Sequence, residues 1–166
     1  MDETQYMHAA LALAAEAAAE GEVPVGCVIV CHDRIVGRGR NRRETVKNAL
    51  SHAEIEAIND ACRTLGGWRL WECTLYVTLE PCPMCAGAII NARIPRVVYG
   101  ASDRKMGACG SVCDLLAMDF NHRPAVTSGL CQEECAGLMT EFFKDLRLRL
   151  KDRPKWRRPT KEEPHE

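Results

Sequence analysis

The sequence lacks any apolar run long enough to span a membrane, which predicts a protein without transmembrane helices. It also lacks the basic start of a secretory signal peptide, because Asp2 and Glu3 stand in its place. Neither sign of charge dominates, since 22 lysines and arginines face 23 aspartates and glutamates, for a formal net charge of −1. The net charge therefore gives no general attraction for nucleic acid, and any such attraction depends on where the charges lie.

The composition is typical of a soluble globular protein of one domain. Its 166 residues, 46% apolar and 27% charged, are enough for a single hydrophobic core. No repeat or linker interrupts residues 1–150, so we predict that these form the domain. Ten cysteines that include a Cys-x-x-Cys pair predict a reducing, cytoplasmic location rather than a disulfide scaffold.

Residues 151–166 differ from the rest of the chain because lysine and arginine outnumber acidic residues over most of their length. We predict a basic, flexible tail here. Trp156 stands among these basic residues, and such segments also bind phosphates and bases, which leaves RNA contact as an alternative use of the tail.

Strand and helix patterns alternate along the chain, which predicts an α/β domain. The predicted strands are 25–31, 34–39, 73–79, 96–99 and 125–127, the first two joined as a hairpin by His32-Asp33. The predicted helices are 2–19, 51–65, 82–92, 111–118 and 131–148, and 101–110 is predicted to be a loop. This order predicts a three-layer α/β/α fold, with helices on both faces of one five-stranded mixed sheet.

The segment Pro81-Cys82-Pro83-Met84-Cys85 and the upstream His52-Ala53-Glu54 carry the chemistry. Two cysteines three apart at a helix start place both sulfurs on one face, where the helix dipole favours thiolates. Thiolates and a neutral imidazole suit zinc, and three protein ligands leave a fourth position for water. This predicts a catalytic zinc held by His52, Cys82 and Cys85, with Glu54 beside the water as the proton carrier.

Each part of this pattern has a simpler interpretation. The two cysteines could form a redox pair or half of a structural zinc site. A redox pair normally has no partner His-x-Glu, whereas this chain has one, and a structural site would need a second Cys-x-x-Cys, which the chain lacks. Ser51-His52-Ala53-Glu54 fits a capping box, in which Glu54 would only bind the Ser51 amide. The combination of His-x-Glu with Pro-Cys-x-x-Cys is nevertheless the signature of zinc nucleobase deaminases, and we favour it.

The chain resembles the bacterial tRNA-specific adenosine deaminases over about residues 3–150. The likeness lies in Gly-Glu-Val-Pro-Val-Gly at 21–26, His-Ala-Glu-Ile at 52–55, Thr-Leu-Glu-Pro-Cys-Pro-Met-Cys-Ala-Gly-Ala at 78–88, and the segment 97–110. The resemblance implies a cytidine-deaminase-like fold and conversion of adenosine to inosine at the wobble position of a tRNA anticodon. It also implies one Zn²⁺ per chain, no organic cofactor, a homodimer, and the anticodon stem-loop as partner.

Two other functions remain open at this point. A free nucleobase or nucleoside deaminase acting on guanine, cytosine or cytidine would use the same zinc site. A non-enzymatic zinc subunit of an editing complex would share the fold, but it would have no use for Glu54.

The resemblance further implies substrate contacts outside the zinc ligands. Asn41 corresponds to an asparagine that binds the flipped nucleoside, although a turn residue is its simpler interpretation. Asp103, Lys105, Asn121, Phe143 and Arg147 are expected to contact RNA. The simpler alternatives are ordinary loop charges for Asp103 and Lys105 and core packing for Phe143. The role of Arg43 stays open, because relatives often carry proline there. The pairs Cys109/Cys113 and Cys131/Cys135 are interpreted as small apolar residues rather than a second metal site.

Overall fold

The computed structural model describes residues 1–154, which contain four α-helices and five β-strands. The helices are α1 (Glu3–Ala19), α2 (Ala53–Leu65), α3 (Pro83–Asn91) and α4 (Gln132–Leu150). The strands are β1 (Gly26–Cys31), β2 (Arg34–Arg40), β3 (Cys73–Leu79), β4 (Arg96–Ala101) and β5 (Ala125–Ser128). No helix among the described residues is long and apolar enough to cross a membrane.

The five strands form one mixed sheet in the order β2-β1-β3-β4-β5. β1 runs antiparallel to β2 and β3, whereas β3, β4 and β5 are parallel to one another. Parallel neighbours need a crossover, and α3 supplies it between β3 and β4. The predicted sheet is confirmed.

Buried side chains form one apolar cluster on each face of the sheet. Strand β1 contributes side chains to both clusters. Cys27 and Ile29 belong to one cluster, and Val28 and Val30 belong to the other. α2 and α3 cover the first face, and α1 and α4 cover the second. Each fully buried valine, leucine or isoleucine stabilises this arrangement by about 1.5–3 kcal/mol. The predicted three-layer α/β/α fold is confirmed.

Helix α2 approaches the sheet closely enough to fix where its N-terminus lies. A side chain at Gly39 of β2 would overlap the backbone of Ala53 and Ala57 in α2, so glycine is required for this contact. The first turn of α2 is thereby held against the C-terminal end of β2. The C-terminal end of β3 lies at this same end of the sheet.

The predicted helix at 111–118 is wrong, because only Leu115–Ala117 is helical, as a single 3₁₀ turn. In a helix the Leu115 N–H would donate to the Ser111 carbonyl, but it donates to the Ala108 carbonyl, and Cys109 and Asp114 form an isolated β-bridge. Helix α2 also begins at Ala53 rather than at Ser51. Of the predicted tail 151–166, residues 155–166 lie outside the described residues, so that tail stays a prediction.

Candidate active site

Two helix N-termini and the end of β3 bring the predicted metal ligands together. His52 is the N-cap residue of α2, and Cys82 is the N-cap residue of α3, with Cys85 in the first turn of α3. Nδ1 of His52 lies 3.6 Å from Sγ of Cys82 and 3.6 Å from Sγ of Cys85. All three donor atoms lie within 4.8 Å of one another. The structure therefore joins three residues that are 30 and 33 positions apart in sequence.

These separations fit a tetrahedral zinc ion. Zinc–sulfur bonds of about 2.3 Å and zinc–nitrogen bonds of about 2.05 Å at a tetrahedral angle place nitrogen and sulfur about 3.6 Å apart. Hydrogen bonding from the Cys85 thiol, and from His52, lowers the pKa of Cys82 to about 4, whereas the same Cys85–Cys82 contact and burial raise the pKa of Cys85. One thiolate is thus already favoured, which is the state that a metal requires of its sulfur ligands.

Glu54 lies in the first turn of α2, with only 4% of its surface exposed. Burial, with a further contribution from the nearby Cys82 sulfur, raises the pKa of Glu54 to about 7. The capping-box alternative is wrong, because the N-cap residue is His52 and no side chain makes a capping hydrogen bond at this helix start. The carboxyl instead lies beside Cys85 and lines a cavity with His52.

The cavity has a volume of about 700 Å³ and opens to solvent. Four of the predicted substrate contacts line it, namely Asn41, Asp103, Lys105 and Phe143. Asn121 and Arg147 do not line it, and both are exposed. Their predicted RNA contacts would therefore have to lie outside the cavity.

Asn41 is both a turn residue and a cavity residue. Its Nδ2 donates to the Val23 carbonyl at 3.2 Å, and its Oδ1 accepts from the Arg43 N–H at 3.2 Å. With 6% of its surface exposed, the side chain is held in one orientation in the cavity that also contains the predicted metal ligands His52 and Cys82. A substrate would meet a fixed amide here.

A loop formed by residues 102–111 makes another wall of the cavity, and Glu80 anchors it. The Glu80 carboxylate accepts hydrogen bonds from the N–H groups of Asp103, Cys109 and Ser111. Although burial acts to raise its pKa, the Ser111 hydroxyl and these N–H groups hold the pKa of Glu80 below its usual range. Glycine is required at Gly107, because a side chain there would overlap this carboxylate. The ionised Glu80 thereby fixes the loop that carries Asp103 and Lys105.

Several cavity residues were missed at the level of the sequence. Met139 and Thr140 reach the cavity from α4, and Arg104 and Met106 reach it from the anchored loop. Nothing in their local sequence distinguishes them. Arg43, whose role was open, also lines the cavity.

The MafB19-like deaminase family profile matches residues 1–147. The curated tRNA-specific adenosine deaminase of Bacillus subtilis is 48% identical over 147 residues, which cover 88% of this chain and 91% of that protein. The chain belongs to the tRNA-specific adenosine deaminase family. The family predicted from the motifs is thereby confirmed, and with it the prediction that the chain is an enzyme.

Solved structures agree with membership of the tRNA-specific adenosine deaminases. One from a study of A-to-I editing by tRNA:A34 deaminases at the wobble position of transfer RNA is 44% identical, with a TM-score of 0.80. That match covers 82% of this chain and 99% of the other. Guanine deaminase of Bacillus subtilis is 31% identical, with a TM-score of 0.61 over 89% of this chain and 95% of its own. Of these two structures, the tRNA deaminase is the more similar one by both sequence identity and TM-score.

Proposed function

We propose that the chain catalyses the hydrolytic deamination of adenosine to inosine at the wobble position of a tRNA anticodon. The observation that carries this function is the arrangement of His52, Cys82, Cys85 and Glu54 in one cavity. Two relatives support the proposal: a tRNA-specific adenosine deaminase that is 48% identical, and a solved structure from a study of tRNA:A34 deaminases.

One Zn²⁺ per chain would be held by His52, Cys82 and Cys85, as the fit of their spacing supports. When bound, zinc supplies Lewis acidity that lowers the pKa of a water molecule towards about 7. Glu54 accepts a proton from the attacking water and donates one to N1 of adenine as the oxygen bonds to C6. Glu54 then takes the second proton from the oxygen on C6 and passes it to the departing amine, so that the C6–N bond breaks, one water is consumed and ammonia leaves.

The pKa of Glu54 suits this double role. A carboxyl with a pKa of about 7 is present in both protonation states near neutral pH, so it can accept a proton and return it. An ordinary exposed glutamate would be a weaker base and would rarely be protonated at that pH.

The cavity mouth suits an unpaired nucleotide. An adenine in a duplex hides C6 in the stack, whereas an anticodon loop offers unpaired bases and 2′-hydroxyls. Arg43, Arg104 and Lys105 place positive charge at the cavity for phosphates, and Phe143, 37% exposed, offers a ring for stacking. Asn41 is proposed to bind the flipped base, and Asp103 its neighbour.

The test compares ammonia release from an anticodon stem-loop that carries adenosine at its first anticodon position with release from adenosine, guanine and cytidine. We expect the stem-loop to be deaminated far faster than any free compound. Its binding should weaken with rising salt, because phosphate contacts release counterions. Equal efficiency on free guanine or cytidine would instead favour the nucleobase deaminase.

A homodimer that acts in the cytoplasm, where tRNA is processed, completes the proposal. The segment before β5 supports the dimer, because it exposes large apolar side chains that a partner could cover. These are Met106, Val112, Met118 and Phe120, each between 46% and 60% exposed. Sedimentation at concentrations used for activity should give a dimer, and a fully active monomer would contradict it.

A further inference from the structure

A second group of possible metal ligands lies at the end of the sheet away from the active site. Cys31 ends β1, His32 begins the following turn, and Glu72 precedes β3. The Cys31 sulfur, a His32 ring nitrogen and a Glu72 carboxylate oxygen all lie within 4.8 Å of one another. Nε2 of His32 is 2.9 Å from Oε2 of Glu72.

A second thiol adjoins this group. Cys31 and Cys73 are direct partners in the antiparallel register of β1 and β3, so their side chains lie on the same face of the sheet. The Cys73 thiol therefore neighbours Cys31, although it lies outside the group of three donors that are within 4.8 Å of one another.

We propose that Cys31, His32 and Glu72 bind a divalent cation of the zinc type, and that the Cys73 side chain rotates to supply the fourth ligand. Sulfur, nitrogen and carboxylate oxygen in a set of four are the ligands of closed tetrahedral zinc sites, which stabilise structure and leave no position for water. The ion ties the β1–β2 turn to the start of β3. Binding to the folded state alone also stabilises the protein.

His32 and Glu72 can reach this ion with little movement. Nitrogen and oxygen ligands of a tetrahedral zinc lie about 3.4 Å apart, so His32 and Glu72 must separate slightly from their hydrogen-bonded 2.9 Å. Their side chains are 72% and 70% exposed, and can turn freely.

The site is independent of the catalytic one. β3 spans the seven residues Cys73–Leu79, and Cys82 follows beyond its C-terminal end. At about 3.3 Å per residue, the strand alone separates the two sites by about 20 Å. No ligand is shared between them.

His8, Cys131 and Glu134 form a comparable group of three donors and provide a matched control. The nearest further thiol there, Cys135, packs against Gly100 of β4. In the control group the second thiol therefore faces the sheet, whereas Cys73 lies directly opposite Cys31 in the strand pair.

The experiment measures zinc per chain at buffered free Zn²⁺ in the full chain, and repeats the titration with Co²⁺, whose thiolate complexes absorb in the near ultraviolet. The test variant is His32→Gln/Glu72→Gln, whose exposed positions allow normal folding. The control is His8→Gln/Glu134→Gln. We expect two zinc ions per chain in the unaltered protein and in the control. The test variant should keep one ion and bind the second at least about 10-fold more weakly.

A stoichiometry of one zinc per chain in the unaltered protein would overturn the proposal. So would loss of the second ion in the control rather than in the test variant, or unchanged affinity in the test variant. A second cobalt ion without added thiolate absorption would also refute it, because Cys31 and Cys73 would then not be ligands. Deamination does not enter these measurements, so their outcome is separate from that of the proposed function.

Discussion

Replacing Glu54 with glutamine separates its catalytic role from a structural one. The amide keeps the shape of the side chain but cannot carry a proton between water and base. Loss of general acid–base catalysis is expected to lower kcat by a factor of about 10² to 10⁴. Zinc content should stay at the level of the unaltered protein, because Glu54 is not among the three ligands.

The same substitution should stabilise the metal-free protein increasingly as the pH rises towards about 7. The pKa of Glu54 is about 7 in the fold and 4.5 in the reference state, so the ionised carboxylate costs the folded state about 3 kcal/mol. Because the folded pKa is raised, this cost is absent below pH 4.5 and complete above about pH 7. Glutamine never ionises, so the variant should gain up to about 3 kcal/mol over the unaltered chain between pH 5 and pH 8.

Denaturant unfolding of the chelator-treated protein at these two pH values, beside single-turnover rates of the zinc-loaded protein, measures both effects. If Glu54 only capped α2, the variant would be less stable by about 1 kcal/mol at both pH values and would keep most of its turnover. That combination would refute the role proposed here. A carboxyl placed for proton transfer at the expense of stability gives the opposite result.

Three further predictions concern the ligands and the cavity walls. Cys82→Ser or Cys85→Ser should lower zinc content well below one per chain and abolish turnover, as metal analysis and ammonia release would report. Asn41→Ala should reduce kcat/KM on the stem-loop more than Asn121→Ala, since only Asn41 lines the cavity; equal effects would contradict this. Glu80→Gln should lower the free energy of unfolding by about 1–3 kcal/mol, because a loop N–H would face the new amide; an unchanged urea midpoint would argue against it.

Local patterns were enough to predict most of the fold. Runs rich in β-branched and apolar residues, bounded by turn residues, predicted five strands, because these preferences act locally whatever follows in the chain. The candidate metal ligands were equally accessible to prediction, since the spacing of Cys82 and Cys85 within one helical turn is a local property. His52 and Glu54 are likewise close in sequence.

The rest of the site depends on contacts between distant parts of the chain. The segment 111–118 had a helical pattern, but the Leu115 N–H donates to the Ala108 carbonyl rather than to Ser111. Glu80, 31 positions before Ser111, holds this non-helical backbone by accepting from the Ser111 N–H. Tertiary packing brought Met139 and Thr140 of α4 to the cavity and left Asn121 outside it. The pKa of Glu54 also depends on tertiary structure, because burial by both helices and the sheet raises it. The sequence by itself determined which chemical groups the candidate site contains. Only the tertiary structure decided their protonation and their surroundings, since desolvation and long-range hydrogen bonds exist only in the folded chain.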